Sequence, residues 1–231
     1  MRKVHTVSGS HNWLVATIVD EHLLAAFKLY ARGVLVDIGC GTKPYAAALK
    51  SYVTRHIGVD HPDTLHDTGS IDIFANAYYT GLGSDTADTV LATAVLEHLE
   101  RPQDAVNEMA RILTPGGHVI LTAPFFWHLH EAPRDFYRYT KFGLEHLIRD
   151  AGLEPVEIRP LAGYFVTAAQ ELCYYVEWRR RGALKWPIGW VQNALQGAAY
   201  WMYTKGRDRG ADFCWMHLAV GKKPGQPRGQ S

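Results

Sequence analysis

The sequence has few cysteines, no long apolar run and no excess of charge of either sign. Its three cysteines, Cys40, Cys173 and Cys214, lie far apart and form no CxxC pair, so neither a zinc knuckle nor a disulfide framework is predicted. No window reaches about 18 uninterrupted apolar residues, which argues against a membrane-spanning helix. The N-terminal residues lead into a polar stretch, not into the apolar run of a signal peptide. We therefore expect a protein of the reducing cytoplasm.

The charge balance argues against a dedicated nucleic-acid-binding protein. The chain has 24 basic and 23 acidic residues and a net charge of +1, whereas such proteins usually carry a basic stripe. The main local exception is the arginine run at 179–181, and a solvated helix end explains it equally well. The length of 231 residues suits one domain with a large core.

Short apolar segments alternate with amphipathic segments along most of the chain. Strands are predicted at 34–38, 56–60, 71–74, 88–92, 118–123 and 156–158. Helices are predicted at 10–31, with Ser10 as N-cap, and at 45–51, 102–113 and 140–152. This alternation is typical of a parallel sheet with helices on both faces and right-handed crossovers. A last strand at 213–220 is predicted to lie antiparallel.

These elements predict an α/β fold of the Rossmann-like, doubly wound type, with a mostly parallel seven-stranded sheet and an antiparallel last strand. We assign residues 1–221 to one domain, in which aromatic-rich helices at about 163–206 form an insertion before the last strand. Residues 222–231 are expected to be a disordered tail. Ligands of such sheets bind beyond the carboxyl ends of the strands. The predicted site therefore lies at 38–45, 60–61, 75–78, 92–98 and 124–139.

A glycine turn, Asp37-Ile38-Gly39-Cys40-Gly41, follows the first predicted strand. Two glycines allow the backbone to approach a ligand closely, and the helix N-terminus that follows favours an anion. A plain tight turn is the alternative interpretation. The acidic Asp37 suits a ligand that carries an ammonium and a sulfonium, and it would be a poor neighbour for a pyrophosphate.

Two further positions bear on the ligand class. Asp60 ends the second predicted strand, 21 residues after Gly39, where a carboxylate can accept two hydrogen bonds from ribose hydroxyls. A strand-ending acid with no ligand is the alternative. Pro44 stands where the dinucleotide-binding fingerprint has its third glycine. The sequence therefore disfavours a nicotinamide oxidoreductase.

The glycine turn and two later blocks resemble class I S-adenosylmethionine (SAM)-dependent methyltransferases of the small-molecule type. Residues 34–42 look like the first motif of that family. Residues 94–99 look like its "LEH" block, and residues 108–117 like its "E-x-x-R-x-L-x-P-G-G" block. The resemblance covers roughly residues 30–160. It implies SAM as the cofactor and methyl transfer as the reaction.

The resemblance also implies a cofactor site spread over several strand ends. The turn glycines would back the methionine part of SAM, and Asp37 would position its amino group. Asp60 would hold the ribose. Asn76 stands where the family has an acidic residue beside the adenine, and its side-chain oxygen can still accept from the adenine amine. Thr93 and Ala94 would line the floor near the methionine end. The full predicted set is Asp37, Gly39, Cys40, Gly41, Asp60, His61, Asn76, Ala77, Thr93 and Ala94.

The segment 125–140 follows the fifth predicted strand and would overhang the methyl group. It resembles a "H-x-x-P-x-D-Y-x-R-Y-T" pattern of methyltransferases from bacterial glycan or secondary-metabolite pathways, with Phe136 in place of tyrosine. This resemblance implies a small-molecule acceptor and no nucleic acid. A structural ion-pair network of Arg134, Asp135 and Arg138 is the alternative. The predicted acceptor-binding residues are His128, Arg134, Asp135, Tyr137, Arg138 and Tyr139.

A hydroxyl acceptor needs a base, and histidine suits that role near neutral pH. His130 is the first candidate for the catalytic base and His98 the second, with a helix cap or sheet-edge packing as the alternative for His98. His128 and His130, with Glu131 and Asp135, could also ligate a metal. Because dense His/Asp stretches are usually hydrogen-bonded networks, no metal site is predicted.

The sequence thus predicts O-methylation of a small molecule such as a sugar, a glycolipid intermediate or a secondary metabolite. N- or C-methylation and a non-catalytic SAM-binding or scaffold role remain open. Five of the seven tryptophans fall between residues 178 and 215. They suit a packed helical cap, a homodimer interface, or contact with a membrane surface and a lipid-linked acceptor. The sequence does not decide among these three.

Overall fold

The computed structural model describes residues 11–64, 67–179, 185–208 and 210–225. Three features of the sequence interpretation lie outside these ranges. They are the Ser10 cap, two arginines of the run at 179–181, and the end of the expected tail, residues 226–231.

Seven strands of the described chain form one mixed sheet. They are β1 (Gly33–Ile38), β2 (Val53–Asp60), β3 (Ile73–Phe74), β4 (Ala87–Thr93), β5 (Leu113–Pro124), β6 (Glu154–Leu161) and β7 (Met216–Lys222). Their order is β3-β2-β1-β4-β5-β7-β6. The pairs among β1 to β5 are parallel, whereas β7 runs antiparallel to both β5 and β6. The predicted fold class is confirmed.

Six α-helices of the described chain accompany the sheet. They are α1 (Trp13–Tyr30), α2 (Ala46–Leu49), α3 (Pro102–Ile112), α4 (Lys141–Asp150), α5 (Tyr164–Glu177) and α6 (Lys185–Thr204). Alternate residues of the central strands face opposite sides, as the strand period of two requires. Val36 and Val90 belong to the core cluster that contains α3 and α4, whereas Leu35 and Leu91 belong to the cluster that contains α1.

The α5–α6 pair lies between β6 and β7 in the sequence and packs against α1. The side-chain oxygen of Gln196 accepts a hydrogen bond from the backbone N–H of Leu14 at 2.9 Å. The rings of Trp13 and Tyr200 meet edge to face, with centroids 5.2 Å apart. Part of the aromatic segment therefore packs α6 against α1. None of the described helices has both the length and the apolar character needed to cross a bilayer.

Most element boundaries differ from the sequence prediction by a few residues, and two of these differences are informative. The strand β5 begins at Leu113, within the segment that was expected to end a helix and form a turn. Lys222 lies in β7, and the Nζ of Lys223 donates to the carbonyl oxygens of Ala110 and Leu113, at 2.8 and 2.7 Å. The expected tail therefore begins too early at 222, because its first two residues are held by the sheet and by α3.

Candidate functional site

A cleft of about 590 Å³ lies at the carboxyl ends of β1 to β4. It is located where the doubly wound topology predicts a ligand site. Seven of the ten predicted cofactor residues line it: Gly39, Asp60, His61, Asn76, Ala77, Thr93 and Ala94. The predicted base His98 and the predicted acceptor-binding residue Arg134 line it as well.

The glycine turn has a backbone that requires glycine at its first position. Gly39 has a φ of +69°, and a Cβ there would lie 2.5 Å from Cγ2 of Val95. A side chain would thus be both strained and obstructed. The backbone N–H of Gly39 donates to the carbonyl of Val59 at 2.8 Å, which ties the turn to β2. Gly39 therefore lines the cleft with backbone alone.

Asp60 holds the two neighbouring strand ends together. Its Oδ2 accepts from the backbone N–H of Gly41 at 2.8 Å, and its Oδ1 accepts from that of His61 at 2.7 Å. A carboxylate has about four lone-pair positions on its two oxygens. Two of them are used here, so the carboxylate retains acceptor capacity toward the cleft that it lines.

The loop after β3 is shaped by Asn76. Its Oδ1 accepts from the backbone N–H groups of Tyr78 and Tyr79, at 3.0 and 2.8 Å. The oxygen that was expected to face an adenine is therefore engaged within the turn. The guanidinium of Arg101 lies over the Tyr78 ring, 4.6 Å from its centroid, and both residues line the cleft. This aromatic and cationic wall has no counterpart among the predicted residues.

Two predicted cofactor residues of the glycine turn point away from the cleft. Asp37 is buried, and its Oδ2 lies 3.0 Å from Nε2 of His56 on β2. Burial raises the pKa of the Asp37 carboxyl, although His56 opposes that shift. The Cys40 thiol is buried against β2, since a Cβ on Gly58 would lie 2.6 Å from its sulfur, and burial raises its pKa to about 12. Neither side chain lines the cleft. Gly41 does not line it either, but its backbone N–H donates to Asp60, which does.

A second part of the cleft, where the sequence predicts acceptor binding, combines the turn after β4 with the loop after β5. His98, Glu131, Arg134 and Phe136 line this end. The Nδ1 of His98 lies 2.5 Å from the carbonyl oxygen of Arg134, and the N–H of Phe136 donates to the carbonyl of Glu97 at 2.8 Å. These bonds hold the loop against the turn, so the polar end of the cleft is preorganised.

Asp135 and Arg138 form a partly buried ion pair, the Asp135–Arg138 clamp, within this loop. The guanidinium donates to both carboxylate oxygens, at 2.6 and 2.8 Å, and the Asp135 side chain is only 1% exposed. Arg138 also donates to the carbonyls of Trp127 and His128. Its guanidinium holds the pKa of the Asp135 carboxyl well below the usual range. The ion-pair network considered as an alternative is therefore present, without Arg134.

The other predicted acceptor-binding residues contact protein and do not line the cleft. The hydroxyl of Tyr139 donates to the carbonyl of Leu96 at 2.8 Å, and that of Tyr137 to the carbonyl of Glu100 at 3.0 Å. The ring of His128 lies against Tyr174, with centroids 4.4 Å apart. His130, the first candidate base, packs edge to face on His98, with ring centroids 4.8 Å apart, and does not line the cleft. The structure thus favours His98 over His130 as the imidazole facing the cleft.

Sequence reasoning missed several residues that line the cleft. Some of them lie inside the predicted segments or motif blocks but were not selected as site residues, and the others lie in loops whose course depends on the fold. They are Asp63, Thr64, Tyr78, Val95, Leu99, Glu100, Arg101, Glu131 and Phe136.

Comparison with known proteins agrees with this geometry. Residues 36–121 match the model of a family described as a methyltransferase domain. An uncharacterised methyltransferase from Mycobacterium leprae is 34% identical over 97 residues, which are 38% of this chain and 36% of that protein. The chain therefore spans about a third of the length of the curated relatives that it matches.

Solved structures resemble the chain over most of its length. The [4+2]-cyclase SpnF has a TM-score of 0.58 and 20% identity, covering 94% of this chain and 85% of its own. A Burkholderia thailandensis 1,6-didemethyltoxoflavin-N1-methyltransferase with bound S-adenosylhomocysteine has a TM-score of 0.56 and 13% identity, covering 88% and 76%. At these identities the likeness establishes the fold alone.

The strand order and the position of the cleft define the class I SAM-dependent methyltransferase fold. Residues 36–121, which run from β1 into β5, match the model of the methyltransferase-domain family. The family resemblance stated from the motifs is confirmed.

Proposed function

We propose that this chain transfers a methyl group from SAM to a hydroxyl of a small-molecule acceptor, such as a sugar, a glycolipid intermediate or a secondary metabolite. The observation that carries the proposal is a single cleft with two unlike ends. One end has the glycine turn and Asp60, and the other has His98, Glu131 and Arg134. A methyl transferase needs a cofactor end and an acceptor end that open to each other.

The cofactor end suits a nucleoside with an amino-acid tail. The cleft volume of about 590 Å³ lies within the range of about 300–1,000 Å³ that is usual for small-ligand sites. Asp60 has acceptor capacity for ribose hydroxyls, and Ala75, Ala77 and Leu99 provide apolar surface for a flat base. The methyltransferase-domain match over β1 to β5 implies SAM as this ligand.

Methyl transfer from SAM requires alignment of the acceptor more than activation of the methyl group. SAM, when bound, supplies a methyl group that its sulfonium already activates. The chain has to hold the acceptor in line and exclude water, and the anchored loop after β5 covers the acceptor end for that purpose. We assign activation of the acceptor hydroxyl to His98, whose Nδ1 is engaged by the carbonyl of Arg134, so that Nε2 has the available lone pair.

Methyl transfer has to be measured directly, because the fold does not define the reaction. SpnF, described as a [4+2]-cyclase, has the same fold. The test is incubation of the purified chain with SAM labelled on its methyl group and a panel of sugars, glycolipid precursors and phenolic metabolites. We expect label on oxygen in one class of acceptor. Label on nitrogen or carbon would overturn the hydroxyl assignment, and cofactor binding without transfer to any acceptor would favour the scaffold role.

A further inference from the structure

Three side chains of metal-ligating type meet beside the acceptor end of the cleft. Glu97 and His98 come from the turn after β4, and His130 comes from the loop after β5. One ligand atom from each lies within 4.8 Å of the other two. The Nε2 of His98 is 3.9 Å from Oε1 of Glu97. Residues from two separate segments thus converge on one point.

The carboxylate of Glu97 gives independent evidence that this cluster binds a further group. Its side chain is 1% exposed, and neither carboxylate oxygen has a hydrogen-bond partner among the described residues. Burial of a carboxyl group without a partner is costly. The nearby carboxylate of Asp135, by contrast, is fully engaged by Arg138. A cation between Glu97 and the imidazoles would give this carboxylate a partner.

Both histidines are oriented by the contacts typical of metal ligands. The Nδ1 of His98 contacts the Arg134 carbonyl at 2.5 Å, and the Nδ1 of His130 lies 3.3 Å from Oδ2 of Asp135. Metal-bound histidines almost always use their second ring nitrogen in this way, toward a carbonyl or a carboxylate. In each ring this arrangement leaves Nε2 as the nitrogen with an available lone pair.

We propose that Glu97, His98 and His130 bind one divalent cation of the zinc type. Two imidazoles and a carboxylate form a zinc ligand set that leaves a fourth position open. Ligand atoms around tetrahedral zinc lie about 3.4 Å apart, given bonds of about 2.1 Å. The observed limit of 4.8 Å therefore requires only small side-chain rotations. The carboxylate of Glu131, 3.7 Å from Nε2 of His98, is the nearest further oxygen ligand.

The catalytic role of this metal site rests on the proposed function. Binding of the cation itself does not depend on it. An acceptor hydroxyl on the open position would lose its proton to solvent more readily. Its oxygen would then form a bond to the methyl carbon as the carbon–sulfur bond breaks, and S-adenosylhomocysteine would leave. His98 activates the hydroxyl in this scheme as a ligand of the cation.

The test is zinc binding by the untagged full-length chain, stripped with a chelator and desalted. Zinc is titrated in competition with a chromophoric chelator, and cobalt is used to report tetrahedral coordination by its visible absorption. We expect one zinc per chain in the wild type, and at least a tenfold loss of affinity in Glu97→Gln and in His130→Asn. The matched control is His146→Asn, because His146 is exposed on α4 and should leave zinc affinity unchanged.

Two results would overturn the inference. One is a stripped wild-type chain that binds no zinc at micromolar concentrations. The other is unchanged zinc affinity in both variants, or in His130→Asn if Glu97→Gln does not fold. Calorimetry with S-adenosylhomocysteine on the same samples separates the two proposals. If the cofactor product binds and zinc does not, only the metal site fails; if zinc binds and the cofactor product does not, only the proposed function fails.

Discussion

The Oδ2 of Asp60 accepts a hydrogen bond from the backbone N–H of Gly41 at 2.8 Å, and this bond joins the end of β2 to the turn after β1. The same carboxylate lines the cleft. One side chain thus fixes the shape of the cofactor end and contributes to its polarity. Changes at Asp60 should therefore act on ligand affinity through both effects.

Asp60→Asn should weaken S-adenosylhomocysteine binding by about 10- to 100-fold. The amide keeps one acceptor oxygen but loses the charge, and a hydrogen bond to a charged group contributes about 1.5–3 kcal/mol. Isothermal calorimetry measures the affinity. Asp150→Asn is the control, because Asp150 is exposed and lies outside the cleft. Equal affinity of Asp60→Asn and wild type would remove Asp60 from the cofactor site.

Asp37→Asn should change S-adenosylhomocysteine affinity by less than a factor of about 3. The reason is that Asp37 is buried against His56, 3.0 Å away, and does not line the cleft. Calorimetry measures the affinity, and urea unfolding of the same variant verifies that it is folded. A loss of affinity as large as that in Asp60→Asn would restore Asp37 to the cofactor site, as the family resemblance implies.

Arg138→Met should destabilise the chain by about 2–3 kcal/mol, because it leaves the Asp135 carboxylate, 1% exposed, without its main partner. Arg149→Met is the matched control, since Arg149 forms an exposed ion pair with Glu145 one helical turn away. That pair should contribute about 0.5 kcal/mol or less. Equal shifts in the free energy of unfolding for the two variants would show that the clamp does not hold the loop.

His118 should make folding sensitive to mild acid. It is 8% exposed on β5, and burial, together with the charges of Arg32 and Lys222, lowers its pKa from 6.5 to about 4. Below pH 6.5 the unfolded chain gains a proton that the folded chain binds only near pH 4. The contribution of neutral His118 is therefore complete above pH 6.5 and is lost as the pH falls toward 4.

The measurement is urea unfolding of the wild type and His118→Leu at pH 7 and pH 5. A unit of pKa shift corresponds to about 1.4 kcal/mol, so the wild type should lose about 2 kcal/mol more than the variant between these pH values. Carboxylates titrate in both proteins, so their contribution to the pH dependence of stability cancels in the comparison. An identical pH dependence in the two proteins would contradict the lowered pKa.

The strands and turns of the sheet can be predicted from the sequence because they depend on local hydrophobic pattern and turn residues. The apolar runs of β1 and β4 and the turn at Gly39 have periods and turn chemistry that tertiary contacts do not override. The boundary at 222 fails because Lys223 is held by carbonyls of α3 and β5, remote in sequence. A polar tail composition gives no sign of such contacts.

The acceptor end is less predictable, since side-chain direction in a long loop depends on the whole fold. The motif at 125–140 identifies a loop that lines the cleft, but Asp135, Tyr137 and Tyr139 form hydrogen bonds with backbone groups of the protein and do not line it. Glu131 and Phe136, which were not selected as acceptor-binding residues, face the cleft instead. Likewise, Glu97 and His130 meet only because the loop after β5 folds back on the turn after β4.

The most direct test of the central claim is calorimetry of the purified chain with S-adenosylhomocysteine, with NAD as the matched comparison. Binding of S-adenosylhomocysteine alone, with a Kd in the micromolar range or about 8 kcal/mol of binding free energy, is the result that the cleft and the family match predict. Binding of NAD alone, or of neither ligand, would contradict the assignment of this cleft to SAM.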